Sequence, residues 1–182
     1  MCLAIFTTCI IDKYCFYLHS LHQLNIQYLE ELTGFLLKLE GRLFTVQPTN
    51  HAFSGTIGSH TRHVIEFYQQ FLNSDAPSGI NYDQRARNQV IENNLTLAVE
   101  KLQTIVDYFK TTTFDLSAEY WVVSNQQTHR SSLGRELLYL AEHTVHHLAL
   151  IRMIAEAEGS FTGSEKFGVA ESTKQFRQSQ QG

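Results

Sequence analysis

Residues 131 to 159 form a long segment of regular pattern that reads SSLGRELLYLAEHTVHHLALIRMIAEAEG. Apolar residues recur in it at spacings of three and four, which is the period of an amphipathic α-helix. The members of this apolar arc are Leu133, Leu137, Leu140, Leu148 and Ile151. Ser131 or Ser132 can cap the start of the helix, and Gly159 can end it. The stretch therefore predicts one long, half-buried helix.

Three further segments have the same helical period. The first, from about residue 18 to 40, carries Leu21, Leu24, Tyr28, Leu32, Phe35 and Leu39, and we expect Gly41 to stop it. The second starts at an expected N-cap, Thr56, and carries Ile57, Val64, Phe67, Phe71 and Leu72. The third covers about 82 to 110. These segments predict an all-α fold, a four-helix bundle.

The segment between residues 111 and 130 has a different character. It is rich in Thr, Val and aromatic residues, lacks the helical period and ends in polar residues. Two structures fit this pattern, a short β-hairpin and an irregular excursion between helices. The bundle is therefore expected to have a long connection before its last long helix, with a β-hairpin as one form of it.

Length and composition predict a single domain. The chain has 182 residues, of which 43% are hydrophobic, and this is enough for one full-sized core. We divide it into an N-terminal extension (1–18), a helical bundle domain (19–175) and a tail (176–182) that is expected to fray.

The N-terminal extension is apolar but resembles neither a signal peptide nor a membrane helix. It lacks a basic start, and charges at residues 12 and 13 interrupt the apolar run short of the roughly 20 residues that span a bilayer. Its cysteines have no metal-binding spacing and suggest free thiols in a reducing compartment: Cys2, Cys9 and Cys15. We therefore predict a cytoplasmic protein without a membrane partner.

The charge of the chain argues against nucleic-acid binding. The formal net charge is −4, and the Lys and Arg residues are scattered along the chain. A protein that neutralises phosphates needs a basic patch or stripe. We expect a small-molecule substrate as the partner, and both a monomer and a homodimer fit the sequence.

Histidines at helical spacing suggest a metal site. His143 and His147 are four residues apart, so both imidazoles can reach one ion from the same face of a helix, whereas His146 points toward water. Zinc usually takes at least a third protein ligand, and the second predicted helix offers His60 and His63. The alternative is that each imidazole is a hydrogen-bonded residue of the core or its rim. The protease motif H-E-x-x-H is absent, because Thr144 follows His143.

The two histidine-bearing segments resemble a known family. TIGSHTRHVIEFY (residues 56–68) and SSLGRELLYLAEHTVHHLALI (residues 131–151) are similar to the corresponding helices of the DinB/YfiT-like four-helix-bundle proteins. The pattern is Ser or Thr opening the second helix, a histidine seven residues later, and H-x-x-x-H on the last long helix. The resemblance covers about residues 20 to 175. It departs from the family at residues 1 to 18, which have no counterpart, and at Glu171, which replaces a proline.

The resemblance implies a ligand set and a chemistry. Its metal ligands map onto His63, His143 and His147, although helical phase alone places His60 nearer the apolar arc than His63. His60 and Tyr139 become candidates for contacting a cofactor or substrate. The implied cofactor is a divalent cation, zinc or nickel, with a low-molecular-weight thiol as a further candidate. The implied activity is transfer of a thiol to an electrophile, or hydrolysis.

Two other hypotheses fit the same residues. The chain can be a non-catalytic bundle in which the histidines bind metal without a reaction, or a dimerisation module without metal. Glu66 and Glu142 are candidates for orienting a ligand imidazole from outside, and both also fit a position at the surface or rim. Metal content separates the metal-free hypothesis from the others, and activity separates an enzyme from a binding protein.

Overall fold

The computed structural model describes residues 21–49, 55–74 and 79–180. Within these ranges the chain is mostly helical, with one small two-stranded antiparallel sheet. The predicted N-terminal extension and its three cysteines lie outside the described residues.

The helices and strands have the following bounds along the chain. The α-helices are α1 (21–36), α2 (Ile57–Asn73), α3 (Gln89–Asn93), α4 (Leu95–Thr111), α5 (Leu133–Ala157) and α6 (Glu171–Ser179). Two 3₁₀ turns cover Gly41–Phe44 and Tyr82–Gln84. The strands are β1 (Glu119–Ser124) and β2 (Gln127–Ser132).

The four long helices α1, α2, α4 and α5 share one hydrophobic core. The apolar faces predicted for α1, α2 and α5 are buried in it, apart from the half-buried Leu24 and Leu72. α2 packs against both α4 and α5, and α4 is linked to α1 by the imidazole of His22, whose Nε2 lies 2.6 Å from the carbonyl oxygen of Phe109. Helical period therefore identified the buried faces correctly.

A buried polar network crosses this core. The amide nitrogen of Asn25 in α1 donates to the carbonyl of Leu21 (2.8 Å) and to that of Leu137 in α5 (2.9 Å). Its amide oxygen accepts from the hydroxyl of Tyr68 in α2 at 2.6 Å. The hydroxyl of Thr144 in α5 donates to the carbonyl of Leu140 at 2.6 Å and lies 3.2 Å from the Tyr68 hydroxyl. The network fixes α1, α2 and α5 relative to one another.

The predicted N-cap of α2 is confirmed. The hydroxyl of Thr56 accepts from the backbone N–H of Ser59 at 2.9 Å, and the Ser59 hydroxyl oxygen accepts from the Thr56 N–H at 2.8 Å. This reciprocal pair satisfies two N–H groups that have no partner inside the helix. It fixes the start of the helix, and therefore the phase of the histidines that follow one turn later.

The prediction of one continuous helix from 82 to 110 is wrong in its first part. The chain there forms a 3₁₀ turn, the short helix α3 and then α4. The side chain of Asn88 accepts from the N–H of Val90, and that of Asn94 accepts from the N–H of Leu97, each at 2.9 Å. An asparagine that caps in this way has non-helical backbone angles, so each one restarts the helix.

The end of the first helix also differs from the prediction. α1 ends at residue 36, and Gly41 begins a 3₁₀ turn instead of stopping the helix. The reason lies in the backbone hydrogen bonds after the last turn. The N–H of Lys38 donates to Phe35 and that of Leu39 donates to Leu36, both at 3.1 Å and across three residues. Such bonds tighten and terminate a helix without a glycine.

The connection before α5 contains the β-hairpin that the sequence suggested. β1 and β2 pair antiparallel, with Trp121 opposite Arg130, and the two-residue turn between them has positive φ at Asn125 (50°) and Gln126 (63°). A turn of this handedness matches the twist of the strands. The hydroxyl of Ser132 then accepts from the N–H of Arg135 at 3.3 Å and caps α5.

The tail after α5 folds back onto α1. Residues 176–182 were predicted to fray, but the helix α6 extends to Ser179. Residues 181 and 182 lie outside the described part of the chain. Lys174 is buried, with its ammonium 3.7 Å from the carboxylate of Glu31 and 5.1 Å from the ring centroid of Tyr28. None of the described helices combines the length and the apolar character that crossing a bilayer requires.

Two glycines in helices allow a matched test of this packing. A Cβ on Gly58 in α2 would lie 2.1 Å from the backbone oxygen of Glu92 and 3.0 Å from Phe44, whereas one on Gly34 in α1 would meet nothing within 4 Å. We expect Gly58→Ala to lower the free energy of unfolding by more than about 1 kcal/mol, despite the better helix propensity of alanine.

Gly34→Ala is the control and should raise the free energy of unfolding by up to about 1 kcal/mol, because only helix propensity changes. Urea unfolding followed by circular dichroism measures both variants. Equal effects of the two substitutions would show that α2 and α3 are not in close contact.

Candidate metal centre

Three imidazoles converge between α2 and α5. His63 comes from α2, His143 and His147 come from α5, and each offers a ring nitrogen such that all three atoms lie within 4.8 Å of one another. The ring centroids are 5.0 Å apart for His63 and His143, 4.5 Å for His63 and His147, and 4.6 Å for His143 and His147. The structure thus brings together the three residues that the family resemblance implies as ligands, including His63 rather than His60.

The surroundings keep these imidazoles neutral. Burial, followed by the charge of Arg85, lowers the pKa of His63 to about 3, and burial together with the neighbouring imidazoles lowers the pKa of His147 to about 2. Burial is also the main cause that lowers the pKa of His143 to about 4. A neutral imidazole has a free lone pair on one nitrogen, which is the form that binds a metal.

One nitrogen of the cluster is buried without a partner. Nε2 of His143 has no hydrogen bond to any of the described residues and is shielded from solvent. Buried polar atoms of folded proteins are almost always bonded, and an exception indicates a missing ion, water or ligand. A cation coordinated through this nitrogen would give it the partner that the protein groups do not supply.

Two further histidines touch His147 in different ways. Nδ1 of His60 lies 3.0 Å from Nδ1 of His147, although His60 does not belong to the set of described imidazoles whose nitrogens converge within 4.8 Å. His146 is exposed, as predicted, and its ring is inclined by 77° to that of His147, with centroids 5.2 Å apart. His60 is therefore coupled to the cluster through one hydrogen bond.

An aromatic wall borders the cluster. The ring of Phe67 stacks on His143 with centroids 4.0 Å apart and on Tyr82 with centroids 5.0 Å apart, and it lies 4.6 Å from His63. Tyr139, a predicted cofactor contact, lies 5.7 Å from His143 and 5.3 Å from Tyr82. Phe67 was predicted only as a core residue, and the structure adds that it contacts two of the three imidazoles.

The loop between α2 and α3 adds charge to this wall. The guanidinium of Arg85 lies 5.5 Å from the centroid of the Phe67 ring, and its charge lowers the pKa of both His63 and His143. The loop is held in place by the Tyr82 hydroxyl, which donates to the fully buried carboxylate of Glu136 at 3.0 Å. Arg85 therefore places a cation beside the candidate metal site.

The two acidic candidates for orienting a ligand take different positions. Glu66 is only 1% exposed, so the expectation of a surface or rim residue is wrong for it. Its carboxylate accepts from the backbone N–H of Asn88 at 2.5 Å and lies 3.7 Å from the guanidinium of Arg62. Glu142 is exposed. The contacts of Glu66 thus secure the loop before α3.

Sequence reasoning missed Tyr82 and Arg85 as neighbours of the site. Both lie in a connection without helical period, in a region predicted as helix. The two asparagines that cap α3 and α4, at positions 88 and 94, were a usable sign that the helix is interrupted there. No local pattern shows that the loop folds back over Phe67, because this depends on the contact between α2 and α5.

Part of the chain is similar to a curated fungal protein. The chain matches no family model and no solved structure. Among curated proteins it is similar to "FK506-binding protein 5" of Rhizopus delemar, with 38% identity over 104 residues. The match covers 53% of this chain and 27% of that protein, so this chain spans about a quarter of the length of the curated relative. The binding of FK506 stated in that name is a property of the fungal protein.

The lowered pKa values predict how acid affects the metal-free protein. Because the histidine pKa is lower in the folded state than the ordinary 6.5, the unfolded chain binds more protons below that pH. Above pH 6.5 the imidazole is neutral in both states and folding has no proton-linked cost; as the pH falls below 6.5, protonation of the unfolded chain progressively destabilises the folded state. We expect His147→Gln to flatten the decline of unfolding free energy between about pH 6.5 and 4.5, by up to about 1.4 kcal/mol per pH unit.

Chemical denaturation of metal-free protein across this pH range measures the effect. His129→Gln, which changes an exposed imidazole in β2 outside the cluster, is the control and should keep the pH dependence of the wild type. A wild-type slope in the His147 variant would mean that this imidazole titrates normally in the folded protein.

Proposed function

We propose that the chain is a DinB/YfiT-like helical bundle that binds a divalent cation, zinc or nickel, through His63, His143 and His147. The observation that carries the proposal is the convergence of three neutral imidazoles from two helices, of which that of His147 is buried and those of His63 and His143 are partly buried. Zinc accepts three protein nitrogen ligands and keeps a further position for water or substrate. A histidine-only donor set suits zinc and nickel better than magnesium or calcium, which prefer oxygen.

The side chains fit the proposed ion with small adjustments. Nitrogens bound to one tetrahedral zinc lie roughly 3.5 Å apart, and those of the cluster lie within 4.8 Å of one another. We expect side-chain rotations to close this difference when the ion binds. The buried, unpartnered Nε2 of His143 would gain the partner that it lacks in the metal-free protein.

We further propose that the site acts on a small molecule, by thiol transfer or hydrolysis. A divalent cation bound by histidines lowers the pKa of a coordinated water or thiol and so supplies a nucleophile at neutral pH. The aromatic wall of Phe67 and Tyr139 would exclude water from one side of the site, and Arg85 would favour a substrate with an anionic group. The cytoplasmic location and the choice between monomer and homodimer stay predictions.

Metal content is the direct test of the ligand set. In protein purified without a His-tag or nickel column, His63→Ala, His143→Ala and His147→Ala should each weaken metal binding, by more than the roughly 10–100-fold typical of an outer-shell change. His146→Ala should leave the metal content close to wild type, because that side chain is exposed and outside the cluster. Elemental analysis by mass spectrometry measures all four variants.

Metal retained by His143→Ala and lost from His146→Ala would show that the wrong face of α5 had been chosen. If the wild-type protein has no affinity for zinc or nickel, the hypothesis of an interaction module without metal would be the one that remains. Assays of metal-loaded protein with thiol and electrophile pairs, and with hydrolysable esters and amides, then separate an enzyme from a binding protein.

A further inference from the structure

We infer that His60 is a positioning residue that holds His147 in the tautomer able to bind metal. The inference rests on the proposed metal site, and it assigns a role to a fourth imidazole that is not a ligand. Its basis is the separation of 3.0 Å between Nδ1 of His60 and Nδ1 of His147. Two neutral imidazole nitrogens at this distance share one proton, which one ring donates and the other accepts.

The direction of this hydrogen bond decides which nitrogen of His147 is available. When the Nδ1–H of His147 donates to His60, Nε2 of His147 keeps its lone pair and can bind a cation. When His60 donates instead, the neutral His147 carries its proton on Nε2, and the nitrogen that is not engaged by His60 has no lone pair for a cation. The nitrogen that a histidine offers to a metal is set by the hydrogen bond that the other nitrogen makes.

The acceptor role also defines the tautomer of His60. Its Nδ1 faces His147, and its other nitrogen, Nε2, lies toward the turn before α2, 3.5 Å from the point where a Cβ would lie on Gly55. In the acceptor role, His60 carries its proton on Nε2 and presents the lone pair of Nδ1 to His147. Metal-binding histidines usually donate to a carboxylate, a backbone carbonyl or water, and here an imidazole takes that place.

A fourth-ligand role for His60 fits the geometry less well. A fourth ligand would need a nitrogen close to those of all three other residues, and the converging set among the described residues leaves His60 out. His146 and His60 differ in how they approach His147. Its ring centroid lies 5.2 Å from that of His147, the same distance as for His60, but only His60 approaches His147 nitrogen to nitrogen. Proximity alone therefore does not explain the contact with His60.

The tautomer can be read in the metal-free full-length protein. Long-range ¹H–¹⁵N correlation spectra report which ring nitrogen of each histidine carries the proton. We expect the wild type to show His147 protonated at Nδ1 and unprotonated at Nε2, and His60→Ala to shift His147 toward the Nε2–H form. His146→Ala is the matched control and should leave the His147 tautomer unchanged.

Asparagine and glutamine at position 60 separate the hydrogen bond from simple packing. The amide oxygen of an asparagine takes the place of the histidine Nδ1 and can accept the same bond, whereas a glutamine reaches toward the place of Nε2. In titrations with zinc alone against a competing chelator, His60→Ala and His60→Gln should weaken binding by about 10–100-fold. His60→Asn should restore it to within a few-fold of wild type.

The outcomes distinguish this inference from the proposed function. Wild-type protein that does not bind zinc would contradict the metal site, while the tautomer of His147 would still test the role of His60. Zinc binding with His147 protonated at Nε2 in the metal-free wild type, or with equal affinity in the Asn, Gln and Ala variants, would overturn the inference. If His60→Ala does not fold, the wild-type spectrum and the comparison of Asn with Gln decide the question.

Discussion

A buried amide, that of Asn25, holds together the helices on which the histidine cluster depends. It bonds to α5 through the carbonyl of Leu137 and to α2 through the hydroxyl of Tyr68, and it lies in the fully buried interior. A shift of one helix against another would leave at least one of these groups buried and unpaired, which costs about 1–3 kcal/mol. The network therefore favours one register of α2 against α5, and Thr144, next to His143, belongs to it.

The cluster itself opposes folding. It places three bases in surroundings that lower their pKa, and it leaves one buried nitrogen without a partner. Such a group persists when the surrounding packing compensates for it, and here the apolar core of α1, α2, α4 and α5 does so. A cation that binds only the folded chain would add stability by mass action, so that the bound protein would be more stable than the free one.

The sequence predicted those features that depend on helical period and on caps. The apolar faces of α1, α2 and α5, the cap at Thr56 and the outward position of His146 all follow from spacing within single segments. The break before α4 was missed because the two capping asparagines lie within a long segment in which polar and apolar residues are mixed. The bond between His60 and His147, the stacking of Phe67 on His143 and the approach of Arg85 depend on how α2 meets α5 and on where the loop after α2 returns. Neither is encoded in a local pattern.

The site tolerates a change of chain length at the hairpin turn but not between the two histidines on α5. One residue inserted or deleted between positions 143 and 147 would rotate one imidazole by about 100° around the helix and separate the pair. The hairpin between α4 and α5 lies outside the histidine cluster, and its turn at Asn125 and Gln126 is exposed. Insertions at that turn would lengthen the chain without changing the phase of α5. Among homologous chains, length variation compatible with the site would therefore concentrate at the hairpin and be absent from the turn of helix between the two ligands.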